Sequence, residues 1–219
     1  PEILYGEYIY VTASSMGLAD HFRDYADSVT GRCGLNPNSL VVDIGSNDGT
    51  TLGAYPKDLL LVGMDPTGEK FRRYYASHIQ LISEFFSAQR LSADFPSHKA
   101  KVVTSFSMFY DLEDPILFAQ EVASILHPEG IWVFEQSYMP LMLKRNAYDT
   151  ICHEHLEYYG LRQIAWIVER AGLKIIDVEF NDVNGGSFSV VATHRSSRRE
   201  DDSGQVERIL AEENATGLS

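Results

Sequence analysis

The sequence predicts an α/β fold with a mostly parallel twisted sheet, helices on both faces and an antiparallel hairpin at the C-terminal end. Three observations carry this. Short apolar runs beginning at Leu40, Leu59, Ile79, Lys101 and Ile131 alternate with amphipathic stretches of helical period, the pattern of a parallel sheet with crossover helices. Two later runs, Lys174–Phe180 and Ser187–His194, flank Asn181-Asp-Val-Asn-Gly-Gly186, a turn chemistry that joins antiparallel neighbours. The first run passes into Asp43-Ile-Gly-Ser-Asn-Asp-Gly49, a glycine turn placed where a strand hands over to a helix.

Length and composition narrow the field. The chain has 219 residues with 44% hydrophobic and 22% charged content, enough for a sizeable core. Its formal charge of −13 argues against a nucleic-acid surface, which needs clustered cations. No apolar run approaches the ~20 residues of a membrane-spanning helix. Cys33 and Cys152 are too few for a disulfide framework or a four-cysteine zinc site. The expected location is the cytoplasm, and the oligomeric state is not legible. One main domain is expected over residues 1–194, with a polar extension over 195–219 that reads as cut short.

At the N-terminus, Tyr5-Gly-Glu-Tyr-Ile-Tyr10 sets three tyrosines in six positions. They either pack a loose segment or form a lid over a ligand. Thr12, Ser14 and Ser15 offer caps for a helix running to about Gly31, with Leu18, Phe22, Tyr25, Ala26 and Val29 on one face.

In the glycine turn, Gly45 and Gly49 allow a sharp bend and a close ligand. Asp65 follows Gly45 by 20 positions at the tip of the second run, a spacing suited to an acid that receives ribose hydroxyls. Asp43 and Asp48 would repel a pyrophosphate and attract a sulfonium with an ammonium group. The turn therefore favours S-adenosylmethionine over NAD, with S-adenosylhomocysteine (SAH) as product, and Ser46 and Asn47 line it. Glu69–His78 reads as a helix. Glu84-Phe85-Phe86 ends the third strand, where an adenine could stack and donate to a carboxylate; core packing of the phenylalanines is the alternative. Ser105, near the end of the fourth strand, joins the cofactor set.

Asp114-Pro115 opens a helix with Phe118, Val122, Ile125 and Leu126 as its buried stripe. His127-Pro-Glu-Gly130 ends it, and Ile131–Glu135 is the fifth strand. Leu161–Leu173 is amphipathic, with Ile164, Ala165, Val168 and Ala171 facing inward. Gln205–Asn214 reads as a solvated helix.

The second informative stretch is Tyr148-Asp-Thr-Ile-Cys-His-Glu-His-Leu-Glu-Tyr-Tyr159. It holds two histidines, three acids, three tyrosines and a cysteine in twelve residues. Such polar density in a buried element demands partners. A zinc site on His153 and His155 lacks the His-Glu-x-x-His spacing, and i, i+2 histidines point apart on a helix. A decorated surface loop is the bland reading. General acid–base chemistry is the third, since imidazole titrates near neutrality and Glu154 lies beside it.

Together with the Tyr5–Tyr10 segment, Asp43–Thr50, Ile151–Tyr159 and Asn184-Gly-Gly-Ser187, in this order, the chain resembles the class I S-adenosylmethionine-dependent C-methyltransferases that act on nucleotide-linked keto-deoxysugars. The match covers residues 1 to about 194. The resemblance implies a Rossmann-like domain, a small nucleotide-sugar-like substrate, and methylation of a carbon alpha to a ketone. It makes His155 the general base with Glu154 beside it and places Tyr5 near the substrate, with Tyr8 as fallback. Tyr5, Tyr158 and His153 are the candidates for stabilising an enolate. Asp111, Cys152, Tyr158 and Asn184 complete the substrate set. In relatives a tyrosine often stands where this chain has Cys152, and an Asn and a His where it has Ser107 and Asp111, so the acceptor differs. Small-molecule O- or N-methyl transfer, or a non-catalytic cofactor-binding module, are the competing functions.

Overall fold

A computed structural model describes residues 16–148, 151–182, 185–201 and 203–217. The thrice-repeated tyrosine segment with Tyr5 and Tyr8, the cap candidates Thr12, Ser14 and Ser15, and Asn184 lie outside the described residues. β1 (Leu40–Ile44), β2 (Leu60–Met64), β3 (Ile79–Ile82), β4 (Ala100–Phe106), β5 (Leu126–Ser137), β6 (Leu173–Asn181) and β7 (Ser187–His194) form one seven-stranded sheet in the order β3-β2-β1-β4-β5-β7-β6. The chain divides into two compact units, residues 1–104 and 105–219.

The first unit holds α1 (Met16–Cys33), β1 (Leu40–Ile44), α2 (Thr50–Gly53), β2 (Leu60–Met64), α3 (Gly68–Phe71), β3 (Ile79–Ile82), α4 (Ala88–Asp94) and most of β4 (Ala100–Phe106). β1 pairs in parallel with β2, and β2 with β3. All five residues of β1 are buried, as expected of a strand covered on both faces. Ala26 and Val29 of α1 are buried and Tyr25 is half-buried; the side chains of Leu18 and Phe22 lie outside the described set.

The expected helix over Glu69–His78 is shorter than its pattern. α3 ends at Phe71, a 3-10 turn covers Arg72–Tyr74, and Tyr75 is extended. The break has a local cause, because the Tyr75 ring turns back onto the glycine turn. α4, which the sequence reading did not anticipate, is capped by the Ser87 hydroxyl accepting from Arg90 N.

The second unit contains a 3-10 turn (Phe109–Asp111), α5 (Pro115–Ile125), β5 (Leu126–Ser137), α6 (Met139–Arg145), α7 (Leu161–Arg170), β6 (Leu173–Asn181), β7 (Ser187–His194) and α8 (Gln205–Ala215). Asp114 caps α5 by accepting from Leu117 N, with Pro115 at its first position. Phe118, Val122 and Ile125 are buried as the stripe predicts. Leu126 is buried too, but on extended backbone that begins β5. His127–Gly130 is thus the lead-in to the strand, and pairing with β7 starts at Ile131. β5 and β6 both pair antiparallel with β7, the expected terminal hairpin. An irregularity lies between Ile175 and Asp177.

Two expectations about the later helices are corrected. In α7 the buried side chains are Leu161, Ile164, Ile167 and Val168, whereas Ala165 and Ala171 are half-buried. The stripe is rotated because the larger aliphatic residues take the core. The helix at 205–215 is not solvated all round: Ile209 and Glu213 are buried at 6% and 2% exposure. Glu213 accepts hydrogen bonds from Leu161 N at 2.6 Å, Arg162 N at 3.0 Å and the Tyr138 hydroxyl at 2.7 Å. A carboxylate on the first turn of α7 meets the free N–H groups and positive end of that helix. Gly160 makes room for it, since a Cβ there would sit 3.0 Å from the Glu213 oxygen.

Candidate functional site

In the first unit, the strand-to-helix turn after β1 is built on three left-handed residues, Gly45, Asn47 and Gly49, with φ of 73°, 48° and 76°. Glycine takes this region without penalty and asparagine at small cost. Gly49 has a second constraint, because a Cβ there would meet the Tyr75 ring at 2.9 Å. The Tyr75 hydroxyl donates to Asn47 O at 2.8 Å and lies 2.8 Å from Ser46 Oγ. Tyr75 is a part of this site that the sequence reading missed. Its signal was hidden inside a helical pattern.

Three carboxylates share the turn's surroundings. Asp43, 2% exposed, accepts from Thr104 Oγ1 at 2.6 Å. Burial raises its pKa from an ordinary 3.8 to about 7; Thr104 partly opposes this, and Asp65 and Asp48 add to it. Asp48 Oδ1 accepts from Thr50 N at 3.1 Å and Thr50 Oγ1 at 2.7 Å, fixing the entry to α2. Asp65 is 7% exposed and bridges two loops. Its Oδ2 accepts from Asn47 N at 2.8 Å, and its Oδ1 from Thr67 N at 2.7 Å and Thr67 Oγ1 at 2.6 Å. A carboxylate offers about four acceptor positions, so Asp65 retains acceptor capacity at Oδ2. The Tyr75 phenol, buried amid these acids, has its pKa pushed up, chiefly by desolvation.

The turn thus brings Asp43, Gly45, Ser46, Asn47, Gly49 and Asp65 together. Asp65 N donates to Ile82 O at 3.1 Å, which sets the end of β3 beside the acid. Just beyond, Phe85 is 47% exposed, so core packing does not account for it. Glu84 is exposed and pairs with Arg90 at 3.2 Å.

The second unit holds the rest. Ser105 is fully buried and its hydroxyl accepts from Trp132 Nε1 at 3.0 Å, which ties its side chain to the core. Ser107 sits at φ 52° with its N–H donating to Glu135 O at 2.8 Å. A non-glycine residue in that region is uncommon and concentrates at functional turns.

The His-Glu-His stretch is held against the turn that follows β4. Leu156 N and Glu157 N both donate to Tyr110 O, at 3.0 and 3.1 Å. The His155 ring lies 4.0 Å from the Tyr110 ring, centroid to centroid, tilted 40°. Tyr158 flanks it at 6.5 Å. His155 is half-buried, while His153 and Glu154 are exposed. The histidines therefore diverge, and only His155 is seated. Among the described residues no group of three or more His, Cys, Asp or Glu converges as a metal site. Cys152 is a half-buried free thiol, and Asp111 is half-buried beside Tyr110. Tyr110 is the residue missed here; it stood unremarked beside Asp111 in the sequence. Near the hairpin, Arg145 donates to Gly185 O at 3.0 Å and Asp182 Oδ1 at 2.8 Å, beside an open cavity of about 330 Å³.

The acid-rich glycine turn of the first unit can hold a small cationic ligand, and the second unit presents one half-buried imidazole. A family model described as "Methyltransferase domain" matches residues 18–178. Among curated proteins, the "C-methyltransferase NovU" of Streptomyces niveus is 31% identical over 221 residues. That match spans 100% of this chain but 52% of the relative, so the chain covers about half of its length. Among solved structures, a putative methyltransferase in complex with the Haloferax volcanii Trm112 methyltransferase activator superposes with a TM-score of 0.60 at 16% identity. It covers 82% of this chain and 95% of its own. The plantazolicin methyltransferase BpumL in complex with SAH gives a TM-score of 0.57 at 12% identity, covering 80% and 82%. Likenesses at such identity report the fold alone. No described helix is long and apolar enough to cross a membrane.

Proposed function

The chain belongs to the methyltransferase domain family, with S-adenosylmethionine as methyl donor, and from that premise we propose that it methylates a carbon alpha to a ketone on a nucleotide-linked deoxysugar. The observation that carries this reading is the seating of His155: one imidazole of the His-Glu-His pair is half-buried against Tyr110 while the other is exposed. The relative of similar sequence named as a C-methyltransferase supports a carbon acceptor.

The first unit fits the donor. Gly45, Asn47 and Gly49 give the turn a backbone open to close approach, and Asp65 keeps an acceptor position for a ribose hydroxyl. Asp48, joined by Asp43 once it ionises, supplies the negative field that a sulfonium and an ammonium require. When bound, the donor supplies an electrophilic methyl group.

Removal of the α proton falls to His155, which holds it on the ring as the acceptor becomes an enolate. A ketone in conjugation keeps that charge on oxygen, where Tyr158, which flanks the His155 ring, donates a hydrogen bond; Tyr5 is the second candidate, since the exposed His153 diverges from the seated base. Positioning and a seated general base are the protein's main contributions. Asp111 beside Tyr110, and the small thiol of Cys152, favour an acceptor that presents a hydroxyl or amine donor and carries extra bulk.

The test is a panel of nucleotide-linked keto-sugars, 4-keto-6-deoxy species first, incubated with a deuteromethyl donor and read by mass spectrometry. A methyl group on the carbon alpha to the ketone is expected. Transfer to oxygen or nitrogen overturns the carbon acceptor, and absence of SAH binding overturns the whole reading.

A further inference from the structure

Gln136 is 1% exposed near the C-terminal end of β5, and among the described residues neither its Oε1 nor its Nε2 has a hydrogen-bond partner. An amide buried with both polar atoms unmet is costly, and native proteins rarely keep one without a reason. Its setting supplies a reason. Side chains two apart on a strand share a face, so Gln136 lies on the face of β5 that carries Trp132 and Phe134. Phe134 packs at 5.2 Å on Phe109, and Phe109 packs at 5.6 Å on Tyr159. The Tyr159 hydroxyl is likewise buried without a partner. Phe109 adjoins Tyr110, the residue that seats His155. Two unmet polar groups therefore sit on one aromatic cluster that also supports the candidate base. In open α/β sheets, the carboxyl ends of the strands are where ligands are read.

We propose that Gln136 is a specificity-determining residue that reads a hydroxyl group of the acceptor, with the Tyr159 phenol as its companion. A side-chain amide can accept and donate at once, which matches a hydroxyl that does both. The pair would select polyhydroxylated over deoxygenated acceptors at the position it faces. This deepens the sugar-acceptor reading and rests on it.

The experiment compares wild type with Gln136→Met, which keeps volume and removes the amide, and with Tyr159→Phe, which removes only the hydroxyl. Each is assayed with the best acceptor of the panel and with analogues lacking one hydroxyl each. The wild type should discriminate against one analogue by roughly 10- to 100-fold in kcat/KM, and Gln136→Met should abolish that preference while leaving SAH affinity within about twofold. Unchanged discrimination in both variants overturns the proposal. Stability provides an arm independent of any acceptor. Removing an unmet amide should leave Tm equal or higher, whereas a fall beyond about 4 °C shows that the amide is satisfied within the fold and also overturns it. If the wild type methylates some other hydroxylated acceptor, the keto-sugar reading fails, and the same comparison on that acceptor still decides Gln136.

Discussion

The imidazole of His155 lies 4.0 Å from the ring of Tyr110, and the backbone carbonyl of Tyr110 accepts from both residues that follow His155. Ring and backbone together fix the direction of a side chain that would otherwise turn freely at the surface. His155→Gln should lower kcat by about 10²- to 10⁴-fold, the usual worth of a positioned acid–base group. SAH affinity measured by calorimetry should stay within a few-fold. Tyr110→Phe keeps the stack and should stay near wild type, while Tyr110→Ala should lower kcat by about tenfold. A His155→Gln enzyme with near-normal turnover would place the base elsewhere.

Asp43 gives the cofactor turn a pH dependence with a definite sign. Its pKa is raised from 3.8 to about 7 by burial, so between about pH 4 and 7 the folded protein holds a proton that the unfolded chain has released. Stability from this group therefore falls as pH rises through that window. The sulfonium and ammonium of S-adenosylmethionine favour the ionised carboxylate, so the methyl donor should bind more tightly as pH rises from about 6 to 8. Asp43→Asn should flatten both profiles, which urea titrations and calorimetry across pH would show. An unchanged slope in the variant would assign the dependence to another group.

Gly49 should tolerate no side chain. Its φ of 76° and the Tyr75 ring at 2.9 Å from an added Cβ act together. Gly49→Ala should cost about 1–3 kcal/mol in urea unfolding and weaken SAH binding. Substituting Gly53, where an added Cβ would meet nothing within 4 Å, serves as the control.

Glu213→Ala should destabilise the protein by about 2–4 kcal/mol, since Leu161 N, Arg162 N and the Tyr138 hydroxyl all lose a charged acceptor. Glu213→Gln keeps one acceptor oxygen and should cost less. Equal stability of all three proteins in urea would show that α8 is not held by this carboxylate.

The legible parts of the fold were those whose signal is local. β1 reads directly as Leu-Val-Val-Asp-Ile followed by a glycine, and Asp114-Pro115 announces α5 within two residues. Glu69–His78 was over-read because helical period alone does not reveal that Tyr75 has a better use for its hydroxyl at Ser46 and Asn47. The rotated stripe of α7 follows from competition for core volume, which Ile167 wins over Ala165. In the candidate site, Asp65 was singled out by its spacing from Gly45 and Asp43 by its place in the acid-bearing glycine turn. Tyr110 and Tyr75 were missed because each contributes through a neighbour distant in sequence, and no motif records such a contact. Glu213 was missed for the same reason, at a separation of 52 residues from Leu161.

That separation has a consequence for the order in which the protein is made. The first turn of α7 is synthesised long before the carboxylate that completes it, and a cap from so far along the chain closes a large loop at an entropic cost. The N–H groups of Leu161 and Arg162 therefore meet this acceptor only once α8 has been made. Amide exchange of Leu161 and Arg162, followed on nascent chains stalled before and after residue 213, should show protection only in the longer one.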